Sequence, residues 1–323
     1  MEYREELRRT PEILGQVMGE GPEERLVGAD KLIFCGCGTS FYLCAQMAKL
    51  CAAQGRRAEA VEAVELLDGP PPECAQGTAF VFLSRSGASM ETVLACRAVA
   101  AVGFFTFYLG CTAGSPLDRA CNASRVIPYA CEHLVLESYS SPAQLLCLAR
   151  CCGLAVALDT PTRAAVALDQ AAAVYRRAAA GMDIGRMICL GAPFYMPLVR
   201  ELMLKNGEIT QIFSEAWGLL EFRHGPRAWA DGRCLVTALP GMRTLGFDRR
   251  AAAELVEYGC RVLWCGPEPP EGVVPISLGT GQYTVEESVA LLAFQIGLAA
   301  EIGAERGVDA ARLHHVVHAV EAL

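Results

Sequence analysis

The sequence predicts an α/β protein of parallel sheets covered by helices, built in two successive copies. Short apolar runs alternate with helix-compatible segments along the chain, and the same alternation restarts after residue 182. The size agrees: 323 residues, 53% hydrophobic and 20% charged, supply about two globular domains.

Residues 1–28 read as a helical lead-in. "KLIFCGCGTS" (31–40) is an apolar strand running into a small-residue turn, with a helix over 41–54 behind it. "AEAVEAVEL" is a short strand with a loop, and "TAFVFLSRSGASMETVLACRAVAAV" is again strand, turn and helix. "FFTFYLGCT" and "SRVIPYA" are further short strands, and "SPAQLLCLARCCGLAVAL" is a buried helix. The Ala-rich segment 159–182 reads as a helical connector. Then "MICLGAPF" is a strand and turn, "PLVRELMLKNGEI" a helix that Gly207 helps to end, "CLVTALP" a strand and "RRAAAELVEYG" a helix. "RVLWCGP" and "VVPISLG" are strands, and "EESVALLAFQIGLAAEI" is a helix. The expected domains are therefore 1–28, 29–160, 161–309 and a tail helix over 310–323, with two units of about 140 residues each.

Charge and composition exclude some partners. A net charge of −8 without any Lys/Arg run argues against nucleic acid. The N-terminus has no apolar signal core, and the apolar stretch "SVALLAFQIGLAAEIGA" is broken by Gln295 and closed by Glu301, so it reads as a core helix and not a membrane span. A cytoplasmic protein is expected. Most of the sixteen cysteines sit inside apolar runs and read as small buried hydrophobes. Cys35-x-Cys37 lacks a second Cys/His pair at zinc-ligand spacing, so no metal site is expected. Only three of 28 basic residues are lysines, Lys31, Lys49 and Lys205, which marks each for a role needing a compact ammonium.

Two strand-to-helix turns carry hydroxyls and glycines: 36–40 (GCGTS) and 84–89 (SRSGAS). In a parallel sheet such turns lie at the carboxyl edge, where ligands bind. Each offers backbone N–H groups and short hydroxyl donors, which suits a phosphate. Ser and Thr are also ordinary helix caps. Two such turns together favour an anion site. Neither is a dinucleotide or P-loop fingerprint.

"CGTS" and "SRSGASMET", each after a strand, resemble the phosphosugar-binding loops of SIS (sugar isomerase) domains. The similar branches are the isomerase half of glucosamine-6-phosphate synthase, the ketosamine-6-phosphate deglycases and the tagatose/galactosamine-6-phosphate isomerase–deaminases. The resemblance implies two tandem SIS domains, each a flavodoxin-like three-layer α/β/α unit. It also implies that Thr39, Ser40, Ser84, Arg85, Ser86 and Ser89 hold the substrate phosphate. The turns at the matching places of the second copy, "GAPFYMP" and "ALPGMRT", lack the serine cluster, so one phosphate site per chain is expected.

Lys205 and Glu208, at i and i+3, share one helix face near its C-terminal end. "LEFRHGPRAW" (220–229) follows, with one of only five histidines, His224, on a Gly-Pro turn. Singly, these are an ordinary helical ion pair and a loop histidine. Together they match the family's Lys-x-x-Glu helix and His-Gly-Pro loop. Moving a carbonyl between C1 and C2 of a sugar needs a carboxylate that takes a proton and returns it to the neighbouring carbon. The resemblance assigns that role to Glu208. Lys205 suits the developing enediolate, and His224 suits ring opening because histidine is the residue type whose charge changes near neutral pH. Phe222 and Trp229 are expected to pack the loop against its support. Glu215 and Glu221 are second candidates for positioning or for gripping an amine, and Glu137 for reaching sugar hydroxyls.

His315 aligns loosely with the C-terminal lysine that reaches the sugar carbonyl in the synthase. His314 and His318 have metal-compatible spacing but no carboxylate partner on their face. The resemblance further implies an isomerase or deglycase acting on a hexose 6-phosphate or its amino derivative, without metal or organic cofactor, and a homodimer with its active site near the interface. A deaminase is the neighbouring alternative. A non-catalytic phosphosugar-binding regulator is the rival from another class; the Lys205, Glu208 and His224 set counts against it. Glu2 stands where a glutaminase domain would carry its cysteine nucleophile, so synthesis of glucosamine 6-phosphate from glutamine is not expected.

Overall fold

The computed structural model describes residues 3–72, 74–132, 134–278 and 281–309. They form two compact units, residues 9–158 and residues 159–309 together with residues 3–8. The first helix, α1 (Tyr3–Leu7), belongs to the second of these, where Arg4 pairs with Glu301 at 3.4 Å.

The unit of residues 9–158 begins with α2 (Thr10–Val17) and α3 (Glu24–Val27). It continues through β1 (Lys31–Gly36), α4 (Thr39–Ala53), β2 (Ala58–Glu62), β3 (Thr78–Leu83), α5 (Met90–Ala101) and β4 (Phe105–Gly110). It closes with α6 (Pro116–Ala120), β5 (Ala123–Val126) and α7 (Ser140–Cys151). The five strands are all parallel, in the order β2-β1-β3-β4-β5. All six residues of β3 are buried, as a strand covered on both faces requires. Alternation along the strands sends Ile33, Cys35, Phe80, Phe82 and Tyr108 towards Val93, Cys96 and Val99 of α5. The intervening Leu32, Phe34, Val81 and Phe107 therefore point to the opposite face, and all are fully buried.

The second unit continues with α8 (Thr160–Val174), β6 (Arg186–Gly191), α9 (Met196–Thr210), β7 (Ser214–Gly218) and β8 (Cys234–Leu239). After these come α10 (Leu245–Glu257), β9 (Arg261–Trp264), β10 (Val274–Pro275) and α11 (Val285–Glu305). Its parallel sheet runs β10-β9-β8-β6-β7. In both sheets the unit's first strand lies between its second and third, so the two copies share one strand order.

Strand β7 and helix α6 were not read in the sequence, and three further details differ from that reading. The segment after residue 159 is helical, but it is core and not merely a connector: Ala164, Ala167 and Ala171 are buried, and Gly297 of α11 faces Ala171 so closely that a Cβ there would lie 3.0 Å from the alanine methyl. Helix α9 runs through Gly207 and ends at Gln211, whose φ is 55°. Burial of Ile209 and Thr210, and the 2.6 Å bond from Thr210 Oγ1 to the Asn206 carbonyl, outweigh the glycine. Helix α11 has 21 residues, longer than the apolar stretch, and is long and apolar enough to cross a membrane, yet it is largely buried in this unit. Gln295, read as an interruption, belongs to a buried chain of bonds. Thr237 Oγ1 donates to Gln295 Oε1 (3.1 Å), Gln295 Nε2 to Asn206 Oδ1 (2.8 Å) and Asn206 Nδ2 to Cys189 Sγ (3.2 Å). This chain fixes the roll of α9 against β6, β8 and α11. The tail with His314, His315 and His318 lies outside the described residues.

Candidate active site

Two turns at adjacent carboxyl ends, after β1 and β3, gather the hydroxyls. Gly36 is followed so tightly by α4 that a Cβ would sit 2.9 Å from that of Ser40. Gly38 has φ 55° and ψ −128°, and Thr39 and Ser40 open α4 as buried polar residues. In the second turn Ser84 Oγ accepts from Gly87 N (3.1 Å), and Ser86 Oγ accepts from Ala88 N (3.2 Å). Both hydroxyls hold their own turn and still have a proton to donate. Gly87, at φ 65°, leaves no space for a side chain: a Cβ would overlap Ser115 and the Tyr108 hydroxyl. Ser89 stands at the N-cap of α5 without capping it through its side chain.

Arg85 is built differently from the hydroxyl residues. Its buried guanidinium donates to Val135 O (2.7 Å) and Glu132 Oε2 (3.4 Å), and Glu137 lies 3.8 Å away. Burial draws its pKa down, but Glu137 and Glu132 outweigh that and hold it above the usual arginine range. Arg85 thus ties the turn to the segment that carries Glu137. Glu132 was missed in the sequence. Its Oε1 accepts from Ser138 N (2.6 Å), Ser140 N (2.6 Å) and Ser138 Oγ (3.2 Å), fastening the entry to α7. The signal was an acid shortly before the Ser-rich helix start "SYSS". A cleft of about 490 Å³ lined by Arg25, Thr78, Val102 and Phe105 opens at the opposite end of this sheet, away from every predicted site residue.

In the second unit α9 places three charges in one line. Lys205 Nζ is 2.9 Å from Glu208 Oε2 and 3.7 Å from Glu201 Oε1. The lysine is 1% exposed and Glu201 is fully buried, while the Glu208 side chain keeps 22% of its surface. The member of the cluster open to a ligand is therefore a carboxylate held beside a desolvated ammonium. Glu201, four residues before Lys205 on the same face, was not singled out in the sequence.

The His224 loop consists of two short 3₁₀ turns, Glu221–His224 and Pro226–Trp229. Phe222 is the loop's support: it is 1% exposed and packs with Leu219, Ala251 and Leu255. Trp229 is not packed inward as expected; it is 38% exposed, and its indole N–H donates to Glu215 Oε2 (2.9 Å). Arg223 makes a bidentate pair with Glu254 of α10, Nη2 to Oε1 at 2.7 Å and Nε to Oε2 at 3.1 Å. His224 and Glu221 are exposed.

Topology separates His224 from Glu208. Helix α9 leaves the carboxyl end of β6 and returns to the start of β7, so Lys205 and Glu208, on its last turns, lie towards the edge where the strands begin. His224 follows the other end of β7, whose five residues span roughly 16 Å. The structure joins Lys205, Glu208 and Glu201 and leaves His224 at the opposite edge of the same sheet.

Comparison with known proteins gives these features a context. Residues 25–149 match the SIS domain. The chain is 24% identical over 258 residues to glutamine–fructose-6-phosphate aminotransferase (isomerizing) of Campylobacter jejuni, covering 74% of this chain and 43% of that one. It spans about half the length of the curated relatives it matches. Among solved structures, glucosamine-6-phosphate deaminase of Thermotoga maritima superposes with a TM-score of 0.83 at 20% identity, covering 98% of this chain and 99% of that one. Tagatose-6-phosphate ketose/aldose isomerase of Escherichia coli gives 0.79 at 19% identity, covering 98% and 96%. The chain thus carries a SIS domain over residues 25–149 and has, along nearly its whole length, the fold of these deaminase and isomerase structures.

Proposed function

We propose that this chain is a phosphosugar enzyme that moves a proton between C1 and C2 of a hexose 6-phosphate or its amino derivative, by aldose–ketose isomerisation or by deglycation of a ketosamine. The observation that carries the reading is the Glu208 carboxylate, partly open and 2.9 Å from the buried Lys205 ammonium. Glu208 takes the proton alpha to the carbonyl and returns it to the neighbouring carbon, and Lys205 offsets the charge of the enediolate. Glu201, 3.7 Å away and fully buried, offsets the charge of that buried ammonium. Thr39, Ser40, Ser84, Ser86 and Ser89 hold the phosphate with hydroxyls and turn N–H groups, with Arg85 and Glu137 at the margin of the same turn. His224 opens the ring, and His315 reaches the sugar carbonyl. The transfer requires neither metal nor organic cofactor.

The fold supports the rest of the proposal. The second unit repeats the strand order of the first, and we assign it as a second SIS domain. His224 and Glu208 stand at opposite edges of one sheet, so a site that uses both draws His224 from a second copy of the chain. A homodimer with its active sites at the interface meets that need. Sixteen cysteines held as thiols accord with a cytoplasmic setting.

Deamination of an amino-sugar phosphate is a second outcome of the same machinery. The likeness to the Thermotoga deaminase favours keeping it. A panel of fructose, tagatose, glucosamine, galactosamine and fructosyl-amino-acid 6-phosphates, followed by NMR, separates the branches. A new sugar without released nitrogen marks the isomerase, a freed amino acid the deglycase and ammonia the deaminase. Binding without turnover of any of them would make the chain a phosphosugar-binding regulator.

A further inference from the structure

Twelve of the sixteen cysteines are buried, and most pack as small apolar side chains. Cys96 and Cys121 are arranged otherwise. Cys96 lies on α5 and Cys121 directly follows α6, with their sulfurs 3.4 Å apart. Cys121 is half-buried, whereas the neighbours Cys51 and Cys152, and Cys234 and Cys260, are buried at both members.

The frame around the pair holds it in place. The Cys121 N–H closes α6 on the Leu117 carbonyl at 3.0 Å. The next residue, Asn122, is bonded reciprocally to Thr106 of β4: its Oδ1 accepts from Thr106 N (2.8 Å) and Thr106 Oγ1 (3.0 Å), and its N–H donates to the Thr106 carbonyl (3.0 Å). Cys121 is therefore presented to α5 and cannot swing away without breaking that brace. A groove of about 360 Å³ lined by Arg97, Ala100, Pro116, Arg119 and Ala120 runs between α5 and α6; Arg97 draws the Cys96 thiol towards its ionised form, while Asp118 acts against ionisation of Cys121. A disulfide needs its sulfurs about 1.4 Å nearer than they stand here.

We propose that Cys96 and Cys121 form a redox-active dithiol that hydrogen peroxide converts to a disulfide. One sulfur attacks a peroxide oxygen; the S–O bond forms, the O–O bond breaks and the leaving oxygen departs as water. The second thiol then attacks that sulfur, the S–S bond forms, the S–O bond breaks and a second water leaves. Two thiols lose two electrons and two protons, and the peroxide is reduced to two waters. The hydrogen bond from Cys121, chiefly, holds the Cys96 thiol below its usual range, which favours the attacking thiolate. The disulfide would staple α5, whose first turn follows the Ser84–Ser89 loop, to the segment entering β5.

The test is treatment of the full chain with equimolar hydrogen peroxide, followed by mass spectrometry of the unreduced peptides. The expected result is a Cys96–Cys121 linkage as the main product, with loss of two of the sixteen thiols and full return on adding dithiothreitol. Cys121→Ser should abolish the linkage and preserve both thiols of every other pair; Cys96→Ser should do the same. The parent chain alone decides the matter if either variant misfolds. Linkage arising first at Cys234–Cys260 or Cys51–Cys152, or sulfinic acid at Cys96 or Cys121 without a bridge, would overturn the proposal.

Discussion

Lys205 is a cation shut away from water beside one carboxylate that is fully buried and one that is not. Removing its charge takes the cation away from two carboxylates, one of them fully buried. Lys205→Met is expected to lower the unfolding free energy by about 3–5 kcal/mol in urea titration, the usual cost of breaking a buried ion pair; a loss below about 1 kcal/mol, as at surface pairs, would contradict this account of the cluster. The i, i+3 spacing made Lys205 and Glu208 legible as a pair. Nothing in "RELMLKNGE" told that Lys205 and Glu201 would be buried, because burial is set by α11 and β6 packing over this face. Glu132, and with it the pairing that ties Arg85 to it, escaped for the same reason: the partners come from residues brought together by the turn after β5.

Among the elements, strand-turn-helix units were the most readable, since an apolar run, a glycine and a hydroxyl each have a local physical meaning. Gly87 is the sharpest case. At φ 65°, against Ser115, it accepts no side chain. Gly87→Ala should cost about 1–3 kcal/mol from backbone strain alone and weaken sugar-phosphate binding, both read by thermal melts with and without ligand; an unchanged melting temperature would show that the turn is looser than described. The end of α9 was less readable, because Gly207 is a local signal and the burial of Ile209 and Thr210 is not. The start of α10 hides a further device. Asp248 Oδ2 accepts from Gly241 N (2.8 Å) and Thr244 Oγ1 (2.7 Å), so the chain's own carboxylate takes the turn donors that in the first unit face the serine cluster. Burial raises the Asp248 pKa, with those two bonds opposing it. The folded chain therefore binds this proton more tightly than the unfolded chain. The group's stabilising share is complete below its unfolded pKa near 3.8 and declines as pH rises through the folded value. Both bonds go to one oxygen, which an amide retains. Asp248→Asn should accordingly remove that decline and equal or exceed the parent's stability at neutral pH, as measured by urea unfolding from pH 4 to 7; a variant that falls with pH as the parent does would rule this out.

At the scale of the whole molecule, the two-unit layout was readable because the same alternation of strands and helices recurs, and the two sheets share one strand order. What the sequence reading lacked was strand β7, and with it the edges of the sheet at which Glu208 and His224 lie. Glu208 and His224 are sixteen residues apart (224 − 208), yet β7 lies between them. That geometry yields a prediction about assembly. The chain should run as a dimer of twice 34.6 kDa in light scattering. Glu208→Gln and His224→Ala, each inactive alone, should regain about a quarter of parental activity when their subunits are mixed and exchanged, since half of the dimers then hold one intact site. No recovery after demonstrated subunit exchange would place both residues in the same chain's site or remove His224 from the chemistry.

The central claim is that Glu208 moves a proton on a sugar phosphate. Its most direct measurement is NMR of the 6-phosphate panel incubated with the protein in D₂O, with Glu208→Gln alongside. The account predicts deuterium entering at C1 or C2 of at least one sugar, with a rate about 10²–10⁴-fold lower in the variant while the sugar phosphate still binds. Exchange that proceeds equally in the variant, or binding without any exchange across the panel, would contradict it.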